Sequence, residues 1–378
     1  MEQVSYVVVF PSVFSKGRIS QLVSNIKEIL DRQNQQFKSV RRDGDVILVD
    51  ANDPVFASSA INMLFGIEKI TIARRVNNDF KGIVSEIATV GGNLLLKGEK
   101  FLVRVDGFAS GFLPKDAELA ATSEIIEKKS NLGARPGTDH NFDKLLYCHL
   151  TKNNAYVCIF SDDGLDGVPF RSDRHDAICC IYDELSAVSC YETMKQGFNP
   201  KIIVCYRKKS ELTGIAKMIN RIIPRLLKEN VSMDVFHMYS AGRTSYQWLV
   251  SMALEVSLYG AVLHGIRHVS VPVSYMSFTT EFVDRVMHRI FECKKMPLLP
   301  ISGLGSGMFS DVRELGLNRY VSRIIKQYSL RYDDSVNVTA GELDKTLESR
   351  QEISIKVGPN NVHDFLDSLE NLENLENH

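Results

Sequence analysis

The sequence predicts an α/β protein that begins with a ferredoxin-like α+β domain and continues into a Rossmann-like parallel sheet. In residues 1–78, apolar strands and amphipathic helices alternate in the order β-α-β-β-α-β, which is typical of the ferredoxin-like fold. From about residue 175, short apolar strands alternate strictly with helix-length segments, which is typical of a doubly wound parallel sheet. Residues 79–168 form a separate small α/β module between them.

The first module, residues 1–78, is defined by its apolar periodicity. Its strands are predicted at SYVVVF, DVILVD and KITIARRV. Apolar residues recur at helical spacing from Ile19 to Leu30, and Asp53-Pro54 is a typical start for the second helix. The pattern therefore predicts two helices packed on one small sheet.

The second module, residues 79–168, has a different order of elements. A helix from about Asp79 to Lys97 precedes a strand from Phe101 to Asp106, and a second helix is predicted from Asp116 to Lys129. The strands KLLYCHL and AYVCIF then form a closing hairpin. This order predicts a second α/β module next to the first.

The third module, residues 169–330, contains the predicted parallel strands AICCI, KIIVCY, MDVFHM, RHVSVPV and MPLLPI. Residues 331–378 are an acidic C-terminal extension, whose end repeats Leu-Glu-Asn three times. Such a short polar repeat cannot bury a core by itself, so we expect a frayed helix or a disordered tail there.

Charge is distributed unevenly along the chain although the net charge is −1. Residues 171–330 hold 21 Lys and Arg against 14 Asp and Glu, a balance of +7. Residues 331–378 hold 4 against 11, a balance of −7. A basic domain attracts phosphate, and an acidic tail is able to compete for the same surface. Both segments are equally compatible with ordinary solvated faces.

The sequence also excludes several protein classes. Its apolar runs are shorter than the roughly 20 residues that span a bilayer, so we expect no membrane association and a cytoplasmic location. Seven cysteines, most of them in apolar strands and none in a C-x-x-C pair, predict reduced buried thiols rather than a zinc ribbon. His264 and His268 lack a suitably spaced carboxylate, so we expect no metal site.

Three sequence features together indicate a family. The first feature is the segment PSVFSKGRISQLV, which is followed by the turn Leu64-Phe65-Gly66-Ile67. The second is the segment EKFLVRVDG, which is followed by the hairpin AYVCIFSDDGLDGVPF. The third is the turn Gly167-Val168-Pro169, which leads to a strand and to a helix ending in MKQG. In order and spacing, residues 3 to 330 resemble the tRNA 4-thiouridine synthetase (ThiI) family.

This resemblance implies the domain identities and the partner. Residues 79–168 would be a THUMP domain, the RNA-binding module of this family, and residues 169–330 an ATP-pyrophosphatase (PP-loop) domain of the adenine nucleotide alpha hydrolase-like type. The implied partner is tRNA, and the implied chemistry is ATP-dependent sulfur transfer, which the family links to thiamine biosynthesis.

The chain departs from the family where ATP should bind. Members carry Ser-Gly-Gly-x-Asp-Ser after the first strand of the PP-loop domain, whereas the corresponding positions here are Ile181, Tyr182, Asp183, Glu184, Leu185 and Ser186. A phosphate-binding loop needs glycines so that backbone N–H groups can close on the anion. Tyr182 replaces a glycine, and we expect two carboxylates near the triphosphate position. We therefore predict a degenerate PP-loop that requires no cofactor.

Basic residues near the predicted turns and helix ends are candidates for RNA binding, through phosphate and ribose contacts. Each is also compatible with a solvated surface charge. They are Lys16, Arg18, Arg104, Lys115, Lys128, Lys129, Arg135, Arg171 and Arg174.

Two further features are candidates for chemistry. Cys293 is followed by Lys294 and Lys295, whose charges would lower a thiol pKa, and the family transfers sulfur through a cysteine persulfide. The glycine-rich segment from Ser302 to Ser310 is compatible with a phosphate loop. An ordinary helix-end cysteine and a flexible connection are the simpler interpretations.

Several functions therefore remain open. The first is a tRNA-binding protein with a decayed nucleotide site that serves as a binding or regulatory subunit in tRNA modification. The second is an active tRNA sulfurtransferase that uses Mg-ATP. The third is another tRNA-directed chemistry on the same scaffold. A tRNA-modification or sulfur-carrier protein is a further candidate partner, and a homodimer is among the open oligomeric states.

Overall fold

A computed structural model of the chain describes residues 5–129, 133–172, 175–242, 245–302, 311–317 and 338–376. The chain divides into two compact units, Met1–Pro169 and Phe170–His378. The division lies beside the predicted start of the third module. The first unit contains both N-terminal modules, so the predicted boundary near residue 78 falls inside it and stays a prediction.

The first unit is built on one continuous sheet of eight strands in the order β2-β3-β1-β4-β8-β7-β5-β6. Antiparallel pairing of β4 with β8 joins the strands of the two predicted modules. The strands are β1 (Ser5–Pro11), β2 (Phe37–Asp43), β3 (Val46–Ala51), β4 (Ile67–Asn77), β5 (Lys100–Gly107), β6 (Arg135–Pro136), β7 (Lys144–Leu150) and β8 (Asn154–Asp166). The helices described in this unit are α1 (Ile19–Arg32), α2 (Pro54–Ile61), α3 (Phe80–Leu94) and α4 (Pro114–Lys129).

Local sequence explains where α2 begins. The Asp53 carboxylate accepts hydrogen bonds from the N–H groups of Val55 and Phe56, at 3.0 and 3.1 Å, and so caps the helix. Pro54 occupies the first helical position, where its missing N–H costs nothing. The Asp-Pro pair thus sets the helix start that the sequence predicts.

The two faces of the first sheet are covered differently. On one face, α3 and α4 pack on β5, β7 and β8 through a core that includes Ile87, Ala121 and Val157. Successive residues of a strand point to opposite faces, so Tyr156 belongs to a smaller cluster on the other side.

The tip of the β2–β3 hairpin is anchored at that second face. The Asp43 carboxylate accepts hydrogen bonds from Thr151, Asn154 and Tyr156. Burial opposes ionisation of Asp43, but these hydrogen bonds and the charge of Arg41 outweigh it and hold its pKa below the usual value. The hairpin is therefore fixed to the β7–β8 strands by a charged group.

The second unit has a six-stranded sheet in the order β13-β12-β9-β10-β11-β14. Strands β9 to β13 are parallel, which confirms the predicted Rossmann-like class, whereas β14 pairs antiparallel to β11. The strands are β9 (Asp176–Ile181), β10 (Asn199–Tyr206), β11 (Asn230–His237), β12 (His268–Ser270), β13 (Met296–Leu298) and β14 (Gln351–Lys356). The described helices are α5 (Glu184–Lys195), α6 (Lys209–Ile222), α7 (Tyr246–Leu263), α8 (Thr280–Glu292), α9 (Ala340–Glu348) and α10 (Asn361–Glu376).

The acidic C-terminal extension contributes to this second fold. Strand β14 extends the sheet, and α10 contains the Leu-Glu-Asn repeat as far as Glu376, the last described residue. Of the two expected forms of this tail, the helix is therefore the one observed within the described residues.

Asp234 of β11 holds β14 in place through charge. Its buried carboxylate accepts hydrogen bonds from Arg350 at 2.8 Å and His264 at 2.5 Å, and Lys201 Nζ lies 3.6 Å away. Burial opposes ionisation, but the His264 hydrogen bond, the charge of Lys201 and the contacts with Arg350 outweigh it and lower the pKa of Asp234. Arg350 immediately precedes β14, so this ion pair ties the edge strand to the sheet.

We predict that Asp234→Asn lowers the free energy of unfolding of the second unit by about 3 kcal/mol, because it leaves the half-buried cations Arg350 and Lys201 without their buried counter-ion. Glu352→Gln is the matched control: Glu352 also binds Arg350, at 3.1 Å, but is exposed, and should change stability by less than about 1 kcal/mol. Urea unfolding of both variants measures the difference.

The difference in unfolding free energy between the wild type and Asp234→Asn should also depend on pH. Because the pKa of Asp234 is depressed in the folded state, its contribution is present above the unfolded pKa of about 3.9. It is lost as the pH falls through the lower folded value. The stabilities of wild type and Asp234→Asn should therefore converge in acid, and a constant difference would contradict the assignment.

Candidate functional site: the predicted nucleotide loop and the candidate RNA-binding residues

The predicted nucleotide loop lies at the topological switch point of the second sheet. Strand β9 ends at Ile181, and its neighbours β10 and β12 are reached by connections that run in opposite directions. In open parallel sheets the crevice at the carboxyl ends of such strands is where ligands bind. Residues 181–186 are therefore in the position where a nucleotide-binding loop is expected.

Hydrogen bonds within the loop occupy the start of α5. The N–H groups of Tyr182 and Asp183 both donate to Ser186 Oγ at 2.9 Å, and the Ser186 N–H donates to Asp183 Oδ1 at 2.8 Å. Asp183 and Ser186 thus form a reciprocal capping box. Three N–H groups of this turn, those of Tyr182, Asp183 and Ser186, are therefore already bonded within it.

The other Asp183 oxygen is bonded as well. Tyr246, the first residue of α7, donates its hydroxyl to Asp183 Oδ2 at 2.8 Å. The Tyr246 ring stacks on Phe278, with ring centroids 6.1 Å apart and planes 17° from parallel. The Asp183 carboxylate is therefore held at the start of α5 by two contacts. One comes from Ser186 in the same turn, and the other comes from Tyr246, which is distant in sequence.

Tyr182 belongs to the hydrophobic core. It is only 6% exposed and lies in one cluster with Trp248 and Phe278. Burial, with the nearby Asp183 charge, raises the pKa of Tyr182 well above its ordinary value. The Tyr182 side chain thus serves packing.

Glu184 has a different environment from Asp183. It is 8% exposed and lines a cavity of about 410 Å³ together with Lys217 and Arg221 of α6. Asp183 thus lies at the start of α5 with both carboxylate oxygens hydrogen-bonded, and Glu184 shares a cavity with two cationic side chains. That both carboxylates lie near a triphosphate stays a prediction.

The cysteines of the second unit are largely buried. Cys179, Cys180, Cys190 and Cys205 lie in the core, as predicted, and the Sγ atoms of Cys180 and Cys205 are 3.4 Å apart. Cys293 follows α8 and is half-buried, but Lys295 beside it donates to the carbonyl oxygens of Ala261 and Ile266. The Lys295 amine is thus committed to backbone contacts. The glycine-rich candidate loop at 303–310 lies outside the described residues.

Three of the predicted RNA-binding residues are paired with carboxylates. Lys115 Nζ lies 2.7 Å from Glu118, and Arg104 contacts both Glu118, at 3.5 Å, and Asp139. On the same helix as Lys115, Lys128 binds Glu124 at 2.6 Å. The structure therefore brings Arg104 and Lys115 together around one buried carboxylate, and each pairing lowers the positive charge available to a phosphate.

The remaining candidates have separate environments. Lys16 and Arg18 are exposed in the turn before α1, where Arg18 donates weakly to the Phe14 carbonyl at 3.4 Å. Arg135 is exposed on β6. Arg171, in the second unit, is half-buried with a left-handed φ of 62° and donates to the Leu227 carbonyl at 3.2 Å.

Two of the candidate RNA-binding residues lie wholly or partly outside the described residues, namely the whole of Arg174 and the side chain of Lys129.

Sequence analysis did not predict several partners of the candidate site residues. The acidic partners Glu118 and Glu124 were detectable in advance, because they stand three and four residues from Lys115 and Lys128 on one helix. The contact of Tyr246 with Asp183 had no such signal, since 63 residues separate them.

Two further classes of site were sought in the described part of the chain. Those residues contain no cluster of three or more His, Cys, Asp or Glu side chains suited to a metal ion. None of the helices described is both long and apolar enough to cross a membrane.

No family model matches this chain, but two curated proteins do. It is 23% identical over 186 residues to a probable tRNA sulfurtransferase of Methanosarcina acetivorans, covering 49% of this chain and 45% of that protein. It is 22% identical over 178 residues to a probable tRNA sulfurtransferase of Methanosarcina mazei, covering 47% and 44%. The match thus spans a little under half the length of these relatives.

Two solved structures share the fold over most of the chain. PH1313 from Pyrococcus horikoshii Ot3 superposes with a TM-score of 0.62 at 17% identity, covering 82% of this chain and 99% of that one. A 4-thiouridine synthetase crystallised with RNA and bound ATP superposes with a TM-score of 0.63 at 11% identity, covering 93% and 100%. With the sequence matches, these similarities confirm the predicted resemblance to the 4-thiouridine synthetase family.

Proposed function

We propose that this protein binds tRNA and serves tRNA modification in the cytoplasm as an RNA-binding or regulatory subunit, without ATP chemistry of its own. Support for the RNA partner comes from the fold shared with a 4-thiouridine synthetase that was crystallised with RNA. Support for the modification pathway comes from the sequence similarity to two probable tRNA sulfurtransferases.

The observation that carries the loss of ATP chemistry is the closed start of α5. A triphosphate would have to displace the Asp183 carboxylate from the N–H of Ser186 and break its bond with Tyr246. Two unit charges about 4 Å apart repel by about 4 kcal/mol at an effective dielectric of 20, which alone weakens binding by roughly a thousandfold. Residues 181–186 therefore do not suit ATP, and the proposal assigns the protein no nucleotide cofactor.

The second candidate function is an active tRNA sulfurtransferase that uses Mg-ATP. It is favoured by the names of the two sequence relatives and by the ATP bound in the structural neighbour. It requires a conformation in which Asp183 and Tyr182 leave their present partners. Tyr182 is buried in the core, so that rearrangement would expose apolar surface.

We predict that ATP with Mg²⁺ gives no detectable heat in isothermal titration up to about 1 mM, the scale of a binding free energy near −4 kcal/mol. An active 4-thiouridine synthetase titrated in parallel is the positive control, and an Asp183→Ala variant tests whether the carboxylate is the obstacle. A dissociation constant in the low micromolar range for the wild type would favour the sulfurtransferase instead.

We predict that folded tRNA binds with an affinity that falls as salt rises, because phosphate contacts release counter-ions. Replacing Lys16 and Arg18 together by Glu should flatten the slope of log affinity against log salt by about 2. The matched double variant, Lys115→Glu with Lys128→Glu, removes equal charge from cations already paired with Glu118 and Glu124 and should have the smaller effect.

Fluorescence anisotropy over a salt series measures both slopes. The proposal fails if the wild type does not bind tRNA at low salt. If tRNA binds but the two double variants behave alike, the RNA partner stands and the placement of its contacts at Lys16 and Arg18 is wrong.

Nucleoside analysis of tRNA separates the two functions in the cell. In a strain lacking this gene, we expect the 4-thiouridine content or another modification to change, since either function acts on tRNA. Re-expression of a Tyr182→Ala, Asp183→Ala double variant should restore it if the loop has no catalytic role. A failure to restore it, with the variant folded and present at normal levels, would favour the enzyme.

A further inference from the structure

The first unit carries an open apolar groove that tRNA binding does not explain. Its volume is about 480 Å³. One wall is α2, which presents residues at i, i+3, i+4 and i+7. The floor comes from the central strands β4 and β8. The lining residues used below are Val55, Ser58, Ser59, Asn62, Ile72, Phe160 and Asp162.

The apolar side chains of this groove are unusually accessible. Phe160 is 51% exposed and Val55 is 61% exposed, and Phe56 beside it is 64% exposed. The register of β8 against β4 shifts between Ile72 and Ala73, which is a β-bulge that brings both Ile159 and Phe160 to the groove. Exposed apolar side chains that line one concave surface, as Val55 and Phe160 do here, are typical of an interaction site.

The polar side chains of α2 that line the groove allow a partner to approach closely. Ser58 Oγ and Ser59 Oγ both donate to the Val55 carbonyl, at 2.8 and 3.1 Å, so their hydroxyls are satisfied within α2. Small residues at these positions allow another backbone to come near. Asn62 Oδ1 is buried and has no hydrogen-bond donor among the described residues.

Charge and backbone pairing narrow the class of partner. Asp162 is the only charged residue among those that line the groove, and Asn62 fixes its carboxylate with a hydrogen bond of 3.0 Å. The aspartate repels a phosphate backbone, and no Lys or Arg lines the groove to offset that repulsion, so RNA does not fit. Phe160 pairs with Ile72 and Asp162 pairs with Ile70, so these side chains lie on one face of the sheet. A partner on this face meets side chains rather than the free backbone groups of a strand edge. A helix satisfies its own backbone.

We propose that this groove docks an amphipathic helix of a partner protein, with large apolar side chains against Val55, Ile72 and Phe160 and a Lys or Arg opposite Asp162. The occupant follows the helix-in-groove mode of recognition, in which apolar anchors recur every three to four residues. The complementary charge sets its orientation. This surface is separate from the cations assigned to tRNA, so the inference does not depend on the RNA proposal.

The test uses two matched helical peptides about 18 residues long, or five turns, with the same apolar face. One carries Lys at its flanking positions and the other carries Glu. Fluorescence anisotropy with the full-length protein should show the Lys peptide binding at least about tenfold more tightly, a difference near 1.4 kcal/mol. Asp162→Lys should reverse this preference.

Phe160→Asp should weaken binding of the Lys peptide at least about tenfold, a loss near 1.4 kcal/mol. The matched control is Leu119→Asp on α4, which changes an equally accessible apolar residue, 60% exposed, outside the groove. Binding should then stay within about twofold. Because Phe160 and Asp162 are exposed, both groove variants should fold, and circular dichroism with thermal unfolding verifies this.

Several outcomes overturn the proposal. Equal binding of both peptides, or no effect of Phe160→Asp, removes the groove as a helix-docking site. Wild-type dimers in sedimentation that dissociate on Phe160→Asp identify a second copy of the chain as the occupant. Tighter peptide binding after deletion of residues 1–4 identifies the N-terminal segment as the occupant. Loss of tRNA binding in Phe160→Asp, with Leu119→Asp unchanged, assigns the surface to RNA.

Discussion

The pairing of β4 with β8 is the constraint on which the first unit depends. These strands bring together segments nearly 90 residues apart in sequence, and they join the ferredoxin-like elements to the later helices and hairpin. Gly164 permits the closest approach, because a Cβ atom there would lie 2.2 Å from the Ile67 carbonyl oxygen. Without this pairing, the helical core and the anchored β2–β3 hairpin would have no common sheet.

The second unit has the sheet topology of nucleotide-binding proteins, but the carboxylate of Asp183 lies at its switch point. A helix N-terminus there ordinarily offers free N–H groups and a partial positive charge to a phosphate. Asp183 supplies that negative charge from within the chain, and Ser186 satisfies two N–H groups of the same turn. The closed turn is a stable helix cap, and the space beside it is packed with aromatic side chains. The contacts at this position thus stabilise the fold.

In the first unit, the candidate RNA-binding cations and the lining of the apolar groove are different sets of residues. Glu118 and Glu124 neutralise part of the positive charge on α4, so the candidate RNA contacts without a carboxylate partner gain importance relative to the paired ones. The groove beside α2 has the opposite character, with accessible aromatic and aliphatic groups and one fixed aspartate. A protein that holds RNA with one surface and a protein helix with another would suit a subunit of a modification complex.

The sequence by itself determined the fold class and the order of elements. Apolar periods of two and 3.6 residues set most strands and helices, and the motifs at Gly66 and Gly167 gave the family resemblance. It also predicted a loop without glycine at Tyr182, because backbone freedom is a property of the residue type. Local rules are enough for these features, since each depends on residues a few positions apart.

Only the tertiary structure decided which groups the charged side chains contact. It merged two predicted modules into one sheet, turned Asp183 toward Tyr246, and paired Asp234 with Arg350 across 116 residues. It also formed the groove, because a bulge in β8 and the small serines of α2 come together only when β4 lies between them. Contacts of this kind depend on the packing of distant segments, and no local pattern of the sequence encodes them.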